Sequence, residues 1–383
     1  MKDGDREGRA DQITAGNLLK LPSYVASGIK YHAAGRLYTP KPLYSSLRVT
    51  RRCNSKCIMC PDWTRHVDVK NELSVNEIGE VYRNPLFSSL KRFGLSGGEP
   101  TLREDLVEIA QVVLERCPSI TEMVLTTNGL EPGLVIEKVG RLLELRERER
   151  LSKFTVVVSV DGYGDIHEKI RRVSQAFERV SETLQRLKEL QLKRPFDLYS
   201  TCVVQPSNID NLVQLAKFGR EMGLPISYIP VRIIDSGMRG VSQQDLSALP
   251  DEQLRKLRAV FEGELQHYLK PSSILLWREY FKIVSGGKRR LPCYLLYYFA
   301  EVDSDGTLCV CVQRNSLDYG NVRVESPDRI WHSEKAREMR RKARKSLCPS
   351  CESCCDVSSA LAQEFFCYAS FLLAERARKL LGN

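Results

Sequence analysis

The chain has 383 residues, 42% of them hydrophobic and 28% charged, and its 58 Lys and Arg against 48 Asp and Glu leave a net charge of +10. One core stops growing at about 250–300 residues, so a large domain with a smaller appendage is expected, and the apolar share excludes a disordered chain. The longest apolar runs, such as Phe154–Val160, have strand length and fall well short of the ~20 residues a membrane span needs.

In chain order, Met1–Thr14 is dominated by charge and Gly, without the apolar centre of a secretory signal, so a frayed tail and a cytoplasmic location are expected. Ala15–Tyr38 reads as a helix whose Leu18, Leu19, Leu21, Tyr24, Val25, Ile29 and Tyr31 pack on the body that follows or meet a membrane surface. From Leu43 onward, β-rich runs alternate with amphipathic stretches. The expected strands are Leu43–Thr50, Arg92–Ser96, Glu122–Thr127, Phe154–Asp161, Asp197–Val204 and Ile226–Arg232. Helices are expected at Glu104–Arg116, Leu134–Arg146, Phe177–Gln191 and Ile209–Met222. In the third of these, Phe177, Val180, Leu184, Leu187 and Leu190 recur every three or four positions and mark one buried face.

Such alternation implies parallel strands with helical crossovers, and six units in a row suit a partial (β/α)6 barrel or an open twisted sheet. In either, chemistry collects at the C-terminal strand ends. A polar stretch, Asp235–Pro250, leads to a helix at Asp251–Leu269, and a cysteine-rich tail follows from Cys293. The domain boundary is placed between 270 and 290. The α/β fold is thus read as a tail and helix over 1–42, a barrel over 43–275 and a small Cys-rich α+β domain with a C-terminal helix over 285–383. The basic run His332–Lys345 reads as a solvated helix face, or as a surface for RNA or anionic lipid.

Thirteen cysteines without an export signal suggest metal or redox work rather than a disulfide framework. Cys117 and Cys202 stand alone, as small core residues. Cys53, Cys57 and Cys60 form Cys-x3-Cys-x2-Cys directly after the first strand, close enough to hold three corners of a four-iron cube. The fourth iron then lacks a protein ligand, and an open iron binds a small molecule that an electron from the cluster can cleave. The alternatives are buried cysteines and a zinc site, for which the nearest fourth ligand is His66. In the tail, Cys293, Cys311, Cys348 and Cys351 make a sound set for one fully ligated cluster. Cys309, Cys354, Cys355 and Cys367 leave a second cluster open, and zinc remains an alternative there.

The cysteine loop resembles that of the radical S-adenosylmethionine superfamily, with Met59 where an aromatic residue is usual. The resemblance continues at successive strand ends: Ser96-Gly97-Gly98-Glu99-Pro100, Thr126-Thr127-Asn128-Gly129 and Ser159-Val160-Asp161-Gly162, then His167-Glu168-Lys169-Ile170-Arg171. It implies a cofactor pocket from Gly97, Gly98, Glu99, Asn128, Ser159, Asp161 and Arg171. The glycines would let the backbone approach the ligand. Glu99 would receive the cofactor's ammonium and Arg171 its carboxylate. Where the family often has Gly, this chain has Arg172, so the backbone is expected to differ there. The tail is similar to SPASM or the shorter Twitch extension, through Gly306 and Cys311, then Gly320, Asn321, Ile330 and Trp331. Val357 stands where the second-cluster pattern of SPASM needs a cysteine.

The resemblance implies an enzyme that cleaves S-adenosylmethionine reductively to a 5′-deoxyadenosyl radical, which abstracts a hydrogen atom from an organic substrate. It implies a [4Fe-4S] cluster, S-adenosylmethionine, one or two auxiliary iron–sulfur clusters and a flavodoxin- or ferredoxin-type electron donor. Cys354 joins Cys293, Cys311, Cys348 and Cys351 as an auxiliary ligand. The 42 residues before Leu43 are too few for a leader-binding domain, so a small-molecule, sugar, alcohol or lipid-linked substrate is preferred over a peptide. The competing class is a metal-stabilised basic protein that binds nucleic acid through residues 332–345, against which the strand-end motifs argue.

Overall fold

A computed structural model describes residues 37–60, 62–64, 69–149, 151–231, 249–263, 265, 268–269, 271–288, 293, 295–311 and 318–351. The expected helix over Ala15–Tyr38 lies outside them except for its last two residues, as do Cys354, Cys355 and Cys367.

Six parallel strands form the expected partial barrel: β1 (Tyr44–Thr50), β2 (Arg92–Gly97), β3 (Glu122–Thr127), β4 (Lys153–Ser159), β5 (Asp197–Val204) and β6 (Ile226–Pro230). Their centres are buried through Leu47, Phe93, Leu95, Met123, Leu125, Val156 and Val158. With the strands in consecutive order, right-handed crossovers put the helices on one face and leave the other to line the barrel. The crossovers are α1 (Val75–Arg83), α2 (Leu106–Arg116), α3 (Pro132–Arg148), the short α4 (Asp165–Arg171) with α5 (Ala176–Lys193), and α6 (Leu212–Glu221). On α5, Val180, Leu184 and Leu187 are fully buried, the face that periodicity indicates. The start of α1 is fixed by a capping box, in which the Ser74 hydroxyl accepts from Glu77 N and the Glu77 carboxylate accepts from Ser74 N.

The sheet does not stop at β1. After α7 (Asp251–Glu262), α8 (Pro271–Val284) and the single turn α9 (Leu295–Tyr298), strand β7 (Phe299–Val302) pairs parallel with β1. Strands β8 (Thr307–Cys309) and β9 (Asp318–Asn321) then add antiparallel, giving the order β6-β5-β4-β3-β2-β1-β7-β8-β9. The tail strands therefore extend the barrel's own sheet. The region where a boundary is expected holds α8, whose Trp277 stacks on Phe261 of α7 at 3.8 Å and donates to Tyr228 O of β6. Helices α10 (Pro327–His332) and α11 (Glu334–Lys342) follow. Most of the basic run is surface, but Arg340 is 2% exposed, because its guanidinium lies over the Trp331 and Tyr319 rings. No described helix is long and apolar enough to cross a membrane.

Candidate active site

The Cys53–Cys60 loop leaves the C-terminal end of β1 and is tied down along its length. Glu72 accepts from Thr50 Oγ1 at 2.5 Å and from Arg51 N at 3.2 Å. Asp303, in the turn between β7 and β8, takes both Arg51 Nε (3.2 Å) and a terminal nitrogen (2.6 Å). From the β2 end, Gly98 N donates to Thr50 O and Glu99 N to Arg52 O, each at 2.8 Å. On the far side, Lys56 N donates to Arg171 O and Ile58 N to Ile170 O, which straps the loop to the end of α4.

Gly97 and Gly98 pack against the root of the cysteine loop. Gly97 has φ +148°, and a Cβ there would stand 2.3 Å from Thr50 O; a Cβ on Gly98 would stand 2.3 Å from Arg52 O. The glycines admit the backbone of the cysteine loop itself. Glu99 is 1% exposed. Its carboxylate accepts from Thr101 N, Thr101 Oγ1, Thr127 Oγ1 and Asn128 N at 2.6–3.2 Å, so it clamps the end of β2 to that of β3. Burial still pushes this carboxyl above its ordinary range.

Asn128 turns its amide toward the loop, donating to Asn54 Oδ1 at 2.7 Å and reaching Cys53 Sγ at 3.7 Å. Ser159 ends β4, half-buried. Asp161 is fully buried; its Oδ1 accepts from Val203 N at 2.8 Å and its Oδ2 meets the Arg171 guanidinium at 2.7 Å. The other Arg171 terminal nitrogen donates to Cys57 Sγ at 3.5 Å. The structure thus directs Arg171 inward, onto a carboxylate and a sulfur of its own chain. The next residue, Arg172, adopts φ 54° and ψ 41°, the left-handed conformation Gly takes most easily, so the backbone keeps that form despite the side chain. His167 is buried behind the pair; its Nδ1 accepts from Asp161 N at 3.0 Å, and burial beside Arg171 holds its pKa well below the ordinary value.

Cys57 is buried, Cys60 half-buried and Cys53 exposed at the mouth. Burial pushes the Cys60 thiol up to about 11, so it is protonated at neutral pH and metal must displace its proton. The donor set fits an iron–sulfur cluster: three soft sulfurs on one loop, with side-chain N–H groups directed at Cys53 and Cys57. Among the described residues, no three His, Cys, Asp or Glu side chains converge on one point as a single metal ion requires. A cluster instead takes one thiolate per iron.

In the tail, Cys309 ends β8 with Sγ 3.8 Å from Glu301 Oε1, and burial pushes its thiol well above the ordinary range. Cys293, Cys311, Cys348 and Cys351 are half-buried, and Cys351 N donates to Cys348 O across a short turn. Cys117 and Cys202 are core residues as expected. Glu72, Asp303 and Asn208, whose amide donates to Asp161 O at 2.7 Å, were not singled out from sequence. All three are remote in sequence from what they hold; Glu72 and Asp303 lie outside helices and strands, and Asn208 in a short helical turn whose first residues it also caps.

A family profile for the radical SAM superfamily matches residues 47–219, and one for the SPASM iron–sulfur cluster-binding domain matches residues 293–355. The first implies a [4Fe-4S] cluster with S-adenosylmethionine and the second auxiliary iron–sulfur clusters. Fe-coproporphyrin III synthase of Methanosarcina barkeri is 32% identical over 150 residues, 38% of this chain and 34% of its own. Pre-heme d1 synthase of Dinoroseobacter shibae is 34% identical over 143 residues, 37% of this chain and 32% of its own. The chain therefore spans about a third of the length of these curated relatives. Among solved structures, Streptococcus suis SuiB bound to S-adenosylmethionine gives a TM-score of 0.57 at 16% identity over 90% of this chain and 78% of its own. The structure anSMEcpe with bound AdoMet gives 0.57 at 19% over 88% and 96%. At these identities the likeness shows the fold.

Proposed function

Since the chain belongs to the radical SAM superfamily and carries a SPASM domain, we propose that it uses the Cys53–Cys60 loop to run radical chemistry on an organic substrate at the barrel mouth. Cys53, Cys57 and Cys60 hold three irons of a [4Fe-4S] cluster and leave the fourth to S-adenosylmethionine. Together these supply a 5′-deoxyadenosyl radical, with methionine as the other product of a one-electron reduction, and the radical takes a hydrogen atom from substrate. The observation that carries this reading is the loop's setting at the C-terminal end of β1, clamped between the β2 end and α4, with N–H donors directed at two of its three sulfurs.

The chain's own groups divide the remaining work. Gly97, Gly98 and Glu99 set the loop's height against β2, and Asn128 and Ser159 border the cofactor pocket at the next strand ends. Asp161 holds Arg171, and Arg171 holds the sulfur of Cys57. In the tail, Cys293, Cys311, Cys348 and Cys351, with Cys354 beyond the described residues, hold an auxiliary cluster that accepts or relays an electron. A flavodoxin- or ferredoxin-type protein is the external donor. The preferred substrate class is a small or lipid-linked molecule, supported by sequence relatives named as synthases of Fe-coproporphyrin III and pre-heme d1. A peptide is the second reading, favoured by the fold shared with SuiB bound to precursor peptide SuiA.

Anaerobically reconstituted full chain with dithionite should form 5′-deoxyadenosine, and Cys57→Ala should not. A cluster-loaded wild type that yields none, with or without candidate substrates, would count decisively against the reading. Zinc without iron or acid-labile sulfide in protein purified without air would favour the nucleic-acid binder instead.

A further inference from the structure

At the end of the sheet opposite the cysteine loop lies a cleft of about 660 Å3, lined in part by His332, Arg337, Arg340, Arg341, Arg344 and Lys345. Thr39, which borders it, precedes β1, and Tyr297 precedes β7, while Cys53 follows β1. Strands β1 and β7 are parallel, so seven residues of β1 separate the cleft from the loop, roughly 20 Å at ~3.3 Å per residue. The cleft is therefore separate from the barrel mouth, and what it binds lies beyond the function proposed above.

Among the described residues its charge is unbalanced. Arg340 sits in the cleft wall, with Nε donating to Leu296 O at 2.9 Å and one terminal nitrogen to Trp331 O at 2.8 Å. The Trp331 and Tyr319 ring centroids lie 4.2 and 4.6 Å from the guanidinium carbon. Its second terminal nitrogen is buried with no hydrogen-bond partner, and no described carboxylate pairs with it. The ring faces offset part of the cost of burying a cation, but a buried charge without a counter-ion is strongly unfavourable. In front of it, Arg341 and Lys345 are exposed and form no ion pair among the described residues, and Arg337 meets only the exposed Glu334, at 2.9 Å. Among the described residues, no acidic side chain lines the cleft. Arg340, Arg341 and Lys345, three cations around one cavity with no ion pair among the described residues, call for a multiply charged anion, and planar guanidinium forks match phosphate oxygens two at a time.

We propose that this cleft binds a phosphate-bearing group, supplied by an anionic phospholipid headgroup or by a soluble phosphate compound. Leu37 and Tyr38, 84% and 42% exposed, stand at its rim, and apolar residues beside a basic cleft suit a headgroup at a membrane surface. The anion supplies the counter-charge that Arg340 lacks.

The test uses the full chain with two probes at low salt: inorganic pyrophosphate by calorimetric titration, and phosphatidylcholine vesicles with or without phosphatidylglycerol by co-sedimentation. The double variant Arg341→Gln/Lys345→Gln changes only exposed side chains, so folding is preserved, and binding should weaken tenfold or more. Arg340→Met should weaken it comparably; if that variant fails to fold, the exposed pair still decides. Pyrophosphate binding lost in the double variant supports a soluble phosphate compound. Binding only to vesicles that contain phosphatidylglycerol, lost in the same variant, supports the headgroup. Wild type that binds neither probe, or a double variant that binds as wild type does, overturns the proposal. So does binding to single-stranded RNA alone, which would mark an extended polynucleotide face instead.

Discussion

Replacing Arg171 with Met tests whether this arginine serves the protein's own sulfur. The change strands Asp161, fully buried, with Val203 N as its one donor besides the arginine among the described residues. Breaking a buried pair by removing one partner costs about 3–5 kcal/mol, because the remaining charge stays desolvated. For a body of this size each kcal/mol moves the midpoint by about 2–4 °C, so thermal unfolding of the metal-free protein should fall by on the order of 10 °C. The double variant Asp161→Asn/Arg171→Met removes both charges and should recover most of the loss; the cycle isolates their coupling. A second readout concerns the sulfur. Arg171 brings a positive charge and an N–H to Cys57 Sγ at 3.5 Å, which favours the more reduced, more negative cluster. Potentiometric titration followed by electron paramagnetic resonance, without S-adenosylmethionine, should show a lower midpoint potential in the double variant. An unchanged potential with a large loss of S-adenosylmethionine affinity would refute this and return Arg171 to the cofactor carboxylate. A single variant as stable as the double would refute the stability argument.

Three further outcomes are expected. Gly98→Ala places a methyl 2.3 Å from Arg52 O and 2.7 Å from Arg51 O, neither of which can move without shifting the loop. It should cost about 1–3 kcal/mol or more and lower iron and sulfide per chain; full loading at wild-type stability would contradict the packing argument. The Arg323 guanidinium and the Ser74 backbone hold the Glu77 carboxyl from 4.5 down to about 2. A depressed folded pKa gives stability that is present above pH 4.5 and lost as pH falls toward 2. The gap in unfolding midpoint between wild type and Glu77→Gln should thus be small, because the pair is exposed, larger at pH 7 than at pH 3, and a gap that widens in acid would exclude the pair. For the auxiliary cluster, the wild type should hold more than four irons per chain, and a variant lacking Cys53, Cys57 and Cys60 should keep the remainder. About four irons, falling to none in that variant, would rule the auxiliary cluster out.

The barrel was legible because its signal is local. Glu122–Thr127 and Asp197–Val204 form as read, since apolar runs of strand length between amphipathic helices leave little else to fold. The strand-end motifs were legible as places but not as contacts. A Gly-Gly-Glu run at a strand end announces a close approach and a buried acid, yet the approaching backbone is Thr50–Arg52, and Thr101, Thr127 and Asn128 provide the acid's donors. Arg171 reads as a free fork until Asp161 is seen facing it from the end of β4, ten residues away. Nothing local distinguishes Arg340 from the six cations around it in His332–Lys345, because what buries it is the pair of rings on Tyr319 and Trp331.

The pairing of β7 with β1 gives the tail a second task. Arg51 lies between the last residue of β1 and the first loop cysteine, and its bidentate partner, Asp303, belongs to the tail. The same β7–β8 turn accepts Leu73 N through Ser304 O at 2.7 Å. Just beyond β9, Arg323 donates to Asn71 O at 2.8 Å and to Glu72 O at 3.3 Å. Glu72 in turn holds Thr50 and Arg51. Two independent routes thus run from the tail strands to the root of the cysteine loop, one direct and one through residues 71–73. The loop has no regular structure of its own between Arg51 and Cys60, so its shape depends on such outside contacts. The tail is accordingly part of the scaffold that holds the Cys53–Cys60 loop, whatever its own cysteines bind, alongside the contacts from Glu72, the β2 end, Asn128 and α4.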